Sequence, residues 1–177
     1  MTGPDRPLLE GMLASQRSTL LNICAGLSAE QLAQRPIPSS NLSLLGLVRH
    51  MAKVERVWFR KRAATEDIAH LHNFEARDNT DFNVIDANDA ADEAAQLQRE
   101  QVAAARAVSE LDFDLIIRSA REDMSLRMIH LHMIQEYARH NGRWDREPEI
   151  ARPQHALRPS RARHCVVRRL SAHLQPR

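Results

Sequence analysis

Apolar residues recur at helical spacing in four long segments of the chain. The clearest segment covers residues 43–59. The other three cover residues 5–25, 88–111 and 125–140, and Ala, Leu, Arg, Glu and Gln outnumber Val, Ile and Thr along the chain. This spacing and composition are typical of amphipathic helices. The pattern therefore predicts an all-α protein built from four long helices. In the clearest segment, one face carries Leu44, Leu47, Met51, Val54 and Trp58.

The segments between these helices are polar. Residues 65–87 and 112–124 show no sustained period and are predicted to be connections. Ser28 and Gln31 have the spacing of a capping box, which predicts a short helical turn after the first long helix. Gly142 is predicted to end the last helix, because glycine readily adopts the left-handed conformation found at helix C-termini.

The charge is distributed unevenly along the chain. The formal net charge is +2, yet residues 151–177 contain seven arginines and no acidic residue. We therefore predict a helical domain over residues 1–148 and an Arg-rich tail over residues 149–177 that is disordered. The tail offers phosphate-binding groups but no aromatic side chains for base stacking, so we expect at most weak nucleic-acid binding through it.

Several protein classes are disfavoured by the sequence. No run of about 18 apolar residues is present, and the first residues lack the apolar core of a signal peptide. Cys24 and Cys165 lie far apart in very different surroundings, which argues against a disulfide framework. A cytoplasmic protein with free thiols and no membrane partner is the simplest expectation, and Cys24 is predicted to be a core residue.

Three residues form a candidate metal site. Glu136 and His140 are four residues apart on one helix, so their side chains project from the same face. His50 lies on the apolar side of another helix. Two imidazoles and one carboxylate suit zinc, nickel, manganese or ferrous iron, and three protein ligands leave positions open for substrate. From spacing alone, a surface Glu–His pair and a core histidine explain the same residues.

Three further residues have roles that the sequence leaves open. His132 shares the face of Glu136, where it would be a fourth ligand, a hydrogen-bond donor to Glu136, or simply a buried histidine. Arg49 and Arg56 would suit an anionic substrate group, although arginines on helices are usually solvated. No residue stands out as catalytic.

Two stretches of the chain resemble the DinB superfamily. One is GLSAEQLAQRPIPSSNLSLLGLVRHMAKVER over residues 26–56, and the other is HMIQEYARHNG over residues 132–142. The resemblance covers about residues 5–145, and the two stretches are similar to those of the actinobacterial mini-circle branch. It implies a four-helix bundle with a long crossover connection and a three-ligand metal site. After Gly142 the sequence departs from the family pattern, which places His140 close to the end of the last helix.

The ligand set narrows what this resemblance implies. Many DinB-like proteins use three histidines, whereas the mycothiol-dependent maleylpyruvate isomerases and related thiol transferases use His, Glu and His. This chain is similar to the second group at His50, Glu136 and His140. The resemblance therefore implies an enzyme that uses a divalent metal, zinc or nickel, and a thiol such as mycothiol to modify a small electrophile, as an S-transferase or an isomerase. A non-catalytic bundle that binds a metal or a small ligand is the alternative, and a homodimer is left open.

Overall fold

The structure is a computed structural model that describes residues 2–37, 39–72, 80–119 and 122–144. The predicted Arg-rich tail, the domain boundary at residue 148 and Cys165 lie outside the described residues.

Four long helices dominate the described part of the chain, which confirms the predicted all-α fold. In chain order, the elements are α1 (Asp5–Cys24), α2 (Ala29–Ala33), α3 (Leu44–Glu55), a π-helical segment (Arg56–Ala63), α4 (Thr80–Asn83), a 3-10 turn (Ala87–Asp89), α5 (Ala90–Val108), β1 (Ile116–Ile117), β2 (Met124–Ser125) and α6 (Leu126–Trp144). Helix α1 packs chiefly on α6, and α3 packs chiefly on α5.

The helix starts follow the local sequence. The predicted capping box is present, since Ser28 Oγ accepts from the Gln31 backbone N–H and Gln31 Oε1 accepts from the Ser28 N–H. At the start of α3, Ser43 Oγ accepts from the Gly46 N–H at 3.0 Å. These bonds satisfy backbone donors that a helix leaves unpaired at its N-terminus.

Both predicted connections contain short regular elements. The connection over residues 65–87 includes α4 and the first residue of the 3-10 turn, and the connection over residues 112–124 includes most of an antiparallel pair, in which Ile116 pairs with Ser125. Elements of two to four residues are too short to produce a hydrophobic period, which explains why the sequence pattern missed them.

The prediction that Gly142 ends the last helix was wrong. Helix α6 continues to Trp144, and Gly142 does not adopt a positive φ, whereas Gly26 after α1 does, with φ of 81°. The Asn141 amide donates to the backbone and side-chain oxygens of Gln16 on α1 at 3.0 Å. This contact with α1 explains why the end of α6 stays helical.

The row of core-facing residues that begins on α3 shifts by one residue in the π-helical segment. Leu44, Leu47 and Met51 are buried as predicted, but Trp58 is only half-buried. Phe59 takes its place in the core with 1% of its surface exposed. The π-helical winding of this segment explains the change, because each of its turns contains more residues than an α-helical turn.

A buried ionic network joins the four long helices. Glu55 on α3 is fully buried and accepts two hydrogen bonds from Arg17 on α1, each of 2.7 Å. It also accepts a hydrogen bond of 2.8 Å from the Tyr137 hydroxyl on α6, and Gln101 on α5 donates to that hydroxyl at 3.1 Å. Burial and the nearby Glu55 raise the pKa of Tyr137, so its hydroxyl keeps the proton that it donates. One side chain from each long helix thus takes part in this network.

A second charged cluster lies between α3 and α5. Arg49 donates to Glu93 at 2.8 Å, and His72 Nε2 lies 3.5 Å from the same carboxylate. Burial lowers the pKa of His72 to about 4, and the positive charge of Arg49 adds to this effect. His72 is therefore neutral in the folded protein near neutral pH.

No helix among the residues described by the structure has the length and apolar character needed to cross a membrane.

The buried network makes Glu55 a sensitive position for stability. We expect Glu55→Gln to lower the free energy of unfolding by about 3–5 kcal/mol, because the Arg17 guanidinium would lose its paired carboxylate in the core. Urea denaturation followed by circular dichroism measures this change. The matched control is Glu66→Gln, which removes a carboxylate paired with Arg60 near the surface and should cost about 1 kcal/mol or less. Equal losses in the two variants would contradict the predicted role of Glu55.

His72 predicts a pH dependence of stability. Its folded pKa of about 4 lies below the ordinary value of 6.5, so the unfolded chain binds this proton first as the pH falls. Stability linked to His72 is therefore complete above pH 6.5 and is lost as the pH falls toward 4. We expect His72→Asn to make the loss of unfolding free energy shallower in this range, since asparagine tolerates the positive φ of 50° at this position. Parallel pH profiles, normalised at about pH 8, would contradict the assignment.

Candidate metal centre

The structure brings together the three residues predicted to bind a metal. His50 comes from α3, and Glu136 and His140 come from successive turns of α6. One ligand atom from each residue lies within 4.8 Å of the other two. The rings of His50 and His140 have centroids 5.2 Å apart, and His140 Nε2 lies 3.7 Å from Glu136 Oε2. All three side chains are partly exposed, so a small molecule can reach them.

This donor set fits one divalent cation. A tetrahedral zinc with bonds of about 2.0–2.1 Å holds its ligand atoms roughly 3.4 Å apart. The spread of 4.8 Å is close enough to this value for small side-chain rotations to complete the site. Two imidazole nitrogens and one carboxylate oxygen are also ligands that zinc and nickel accept.

Asp81 on α4 orients His50. Its Oδ2 atom lies 3.1 Å from His50 Nδ1 and also pairs with Lys53 Nζ. Burial favours the protonated form of Asp81, but the hydrogen bonds from His50 and Lys53 outweigh burial and lower its pKa. The ionised carboxylate selects the His50 tautomer that carries its proton on Nδ1, which leaves the Nε2 lone pair available for a metal. A carboxylate behind a ligating histidine is a common feature of protein metal sites.

Gly46 permits the close approach that positions Asp81. A Cβ atom at this position would lie 2.8 Å from Phe82 Cδ1 and 3.3 Å from the Asp81 backbone oxygen. The absence of a side chain therefore lets α4 lie directly against α3. Phe82 also packs on the His50 ring, with centroids 5.3 Å apart.

Asp81 is not among the site residues predicted from the sequence. The residue lies in a polar stretch without a hydrophobic period, so nothing in its own surroundings marked it as part of a site. The available signal was Gly46, since a glycine inside a strongly helical pattern often marks a close backbone approach. Even that signal predicts only that something packs on α3, and not which residue does so.

Glu136 also contacts a cation on its own helix. Arg139 donates to Glu136 Oε1 at 2.8 Å, while Oε2 is the oxygen nearer to His140. The Arg139 side chain is largely exposed, so this pair contributes little to stability. The hydrogen bond from Arg139 instead holds Glu136 Oε1, which leaves Glu136 Oε2 directed toward the His140 imidazole.

His132 does not join the three ligands in the structure. Its ring lies on the Trp58 indole, with centroids 4.5 Å apart, and the Arg62 guanidinium lies over the same indole at 4.1 Å. Burial lowers the pKa of His132, although the charge of Glu136 opposes this effect. The predicted role of His132 as a fourth ligand or as a donor to Glu136 stays a prediction.

The two arginines predicted to bind substrate are engaged within the protein. Arg49 is buried and pairs with Glu93. Arg56 donates to Glu100 at 2.5 Å and to the backbone oxygen of Ala69 at 3.0 Å. These contacts tie α3 and the π-helical segment to neighbouring parts of the fold, and substrate binding by either arginine stays a prediction.

Cys24 packs against the hydrophobic core, in agreement with its predicted role. Burial raises the pKa of its thiol to about 12. Because the thiolate is the reactive form of cysteine, this side chain is not a nucleophile near neutral pH.

Comparisons with known proteins identify the family of the chain. Neither a search of curated proteins nor a search of solved structures gave a significant match. A family model described as mycothiol-S-transferase matches residues 8–151, which include all three candidate ligands. This match covers more than half of the chain and agrees with the DinB-like resemblance of its sequence motifs. The chain therefore belongs to the mycothiol-S-transferase family of DinB-like proteins.

Proposed function

We propose that the protein is a divalent-metal-dependent enzyme that joins the sulfur of a low-molecular-weight thiol, such as mycothiol, to a small electrophile. The observation that carries this proposal is the convergence of His50, Glu136 and His140 in a member of this family. The metal would be zinc or nickel, because both accept imidazole and carboxylate ligands.

Each side chain of the site would have a separate role. His50 and His140 would donate nitrogen lone pairs, and Glu136 would supply one negative charge. Asp81 would hold the His50 ring and its tautomer, while Lys53 keeps Asp81 ionised. Three protein ligands would leave a coordination position open, and the chemistry that a divalent cation would supply there is a lower pKa for a thiol.

The reaction class follows from the thiol. In an addition, the thiol loses its proton to water, the sulfur forms a bond to the electrophilic carbon as a π bond of the substrate breaks, and the neighbouring atom takes up a proton from water. In a substitution, the sulfur forms the same bond while a leaving group such as chloride departs with the electron pair of the broken bond. The partly exposed position of the three ligands gives both reactants access from solvent. The protein would contribute mainly the thiolate and the position of the two reactants.

Metal binding by the three ligands can be tested directly. We expect the full-length protein to bind about one zinc or nickel per chain, and His50→Ala and His140→Ala each to abolish this binding. Asp81→Asn should retain the site but weaken metal affinity by about 10- to 100-fold, because the amide no longer supports the His50 tautomer. Elemental analysis and competition with a chromophoric chelator measure both effects.

The matched control for this experiment is His132→Ala. This variant removes a half-buried histidine from the same helix that carries Glu136 and His140, but one whose ring lies on Trp58. It should keep the metal content of the unchanged protein. Full metal content in both ligand variants would contradict the proposed site.

Thiol transfer forms a second test. We expect the metal-loaded protein to accelerate consumption of mycothiol in the presence of a small electrophile such as monochlorobimane, and chelation of the metal to remove this activity. His140→Ala should reduce the rate at least about 100-fold, since loss of a ligand removes the group that activates the thiol.

Two outcomes of this assay have clear meanings. Equal rates with glutathione and mycothiol would mean that the thiol is recognised only through its sulfur. Stoichiometric metal binding without any acceleration, across a panel of electrophiles and thiols, would contradict the enzymatic proposal and favour a non-catalytic metal-binding bundle.

A further inference from the structure

A cavity of about 350 Å³ lies between α1 and α5, away from the metal centre. Leu13, Phe59 and Val108 line its apolar wall. Ala14 and Ala105 also line it and are exposed, so two short side chains border its opening to solvent. A cavity of about 150 Å³ holds a benzene molecule, so this volume can hold two fused rings.

His130 is the polar side chain that the core places against this cavity. It is buried, and its ring lies between Phe59 and Phe113, with centroid distances of 5.0 and 4.8 Å. His130 Nδ1 lies 2.9 Å from the Leu126 backbone oxygen, so Nδ1 carries the proton and donates it to that carbonyl. In the neutral ring, Nε2 is therefore a hydrogen-bond acceptor.

The Nε2 acceptor has no partner among the residues that the structure describes. Burial lowers the pKa of His130, which keeps the imidazole neutral near neutral pH. Because His130 lines the cavity, this acceptor is open to a hydrogen-bond donor that enters there.

The charged groups around the cavity are already paired. Arg17 directs two of its nitrogens to Glu55, and Arg6 pairs with Glu10 at 3.1 Å and with the backbone oxygens of Val108 and Leu111. An ionised ligand would have to compete with these contacts. The cavity is therefore suited to an uncharged ligand.

We propose that this cavity is a second binding site, which takes a small neutral molecule with an apolar body of one or two rings and a hydroxyl group that donates to His130 Nε2. The ring system lies against Leu13, Phe59 and Val108. The class of ligand is a phenol or a naphthol.

The site is separate from the metal centre. None of His50, Glu136 and His140 lines the cavity. On α6, His130 precedes His140 by ten residues, which corresponds to about 15 Å along the helix. Arg17 lines the cavity and pairs with Glu55, so a ligand bound here would contact one member of the network that joins the helices.

The experiment uses 2-naphthol as the probe and isothermal titration calorimetry of the full-length protein. We expect saturable binding of one 2-naphthol per chain. The Ala105→Leu variant should weaken binding at least about tenfold, because leucine at the opening fills space that the ligand needs. The ether 2-methoxynaphthalene, which lacks the hydroxyl donor, should bind about tenfold more weakly than 2-naphthol.

The matched control is Ala91→Leu, which places the same side chain at an exposed position of α5 that does not line the cavity. This variant should bind 2-naphthol as the unchanged protein does. In protein labelled with ¹⁵N-histidine, the Nε2 resonance of His130 should move when 2-naphthol binds and should stay in place with the ether.

Three results would overturn the proposal. The first is a lack of saturable 2-naphthol binding, and the second is equal affinity in Ala105→Leu. The third is equal affinity for the alcohol and the ether, which would show that His130 does not recognise the donor. The alcohol and ether comparison needs no change in the protein, so it tests His130 without the risk that a core variant fails to fold.

Discussion

The carboxylate of Glu55 lies in the centre of the bundle, where water cannot solvate its charge. Its oxygens must therefore be satisfied by protein donors, and Arg17 and Tyr137 supply them from α1 and α6. A buried ion of this kind tolerates few alternative arrangements, because any shift between the helices would leave a charge unpaired. Hydrophobic packing brings the helices together, and this network specifies how they are aligned.

The alignment of α3 and α6 determines the geometry of the candidate metal centre. Glu55 follows His50 by five residues on α3, and Tyr137 directly follows Glu136 on α6. The hydrogen bond of 2.8 Å between Glu55 and Tyr137 thus sets the relative height of the two helices close to the place where His50 meets Glu136 and His140. Adjacent residues of α6 have different roles, because Tyr137 faces the core and Glu136 faces the candidate metal centre.

The same arrangement separates two environments within one bundle. At one end, partly exposed imidazoles and a carboxylate converge, supported by the ionised Asp81. At the other, His130 lies neutral between two phenylalanine rings beside an apolar cavity. Both histidines use Nδ1 to contact an oxygen, which leaves Nε2 as the acceptor. The difference is that the His50 ring faces the other two candidate metal ligands, whereas the His130 ring faces the apolar wall of the cavity.

The sequence by itself determined the four long helices and the three candidate ligands, because helical spacing relates residues that are close along the chain. It predicted that Glu136 and His140 share a face and that His50 lies on the apolar side of another helix, and the family resemblance supported these three as one ligand set. Only the tertiary structure decided that Asp81 supports His50, that Phe59 replaces Trp58 in the core, and that α6 continues past Gly142. These features depend on contacts between distant segments: the close approach at Gly46, the register of the π-helical segment and the hydrogen bonds of Asn141 to α1. Local periodicity carries no information about such contacts, since a short segment such as α4 is positioned by its neighbours and not by a pattern of its own.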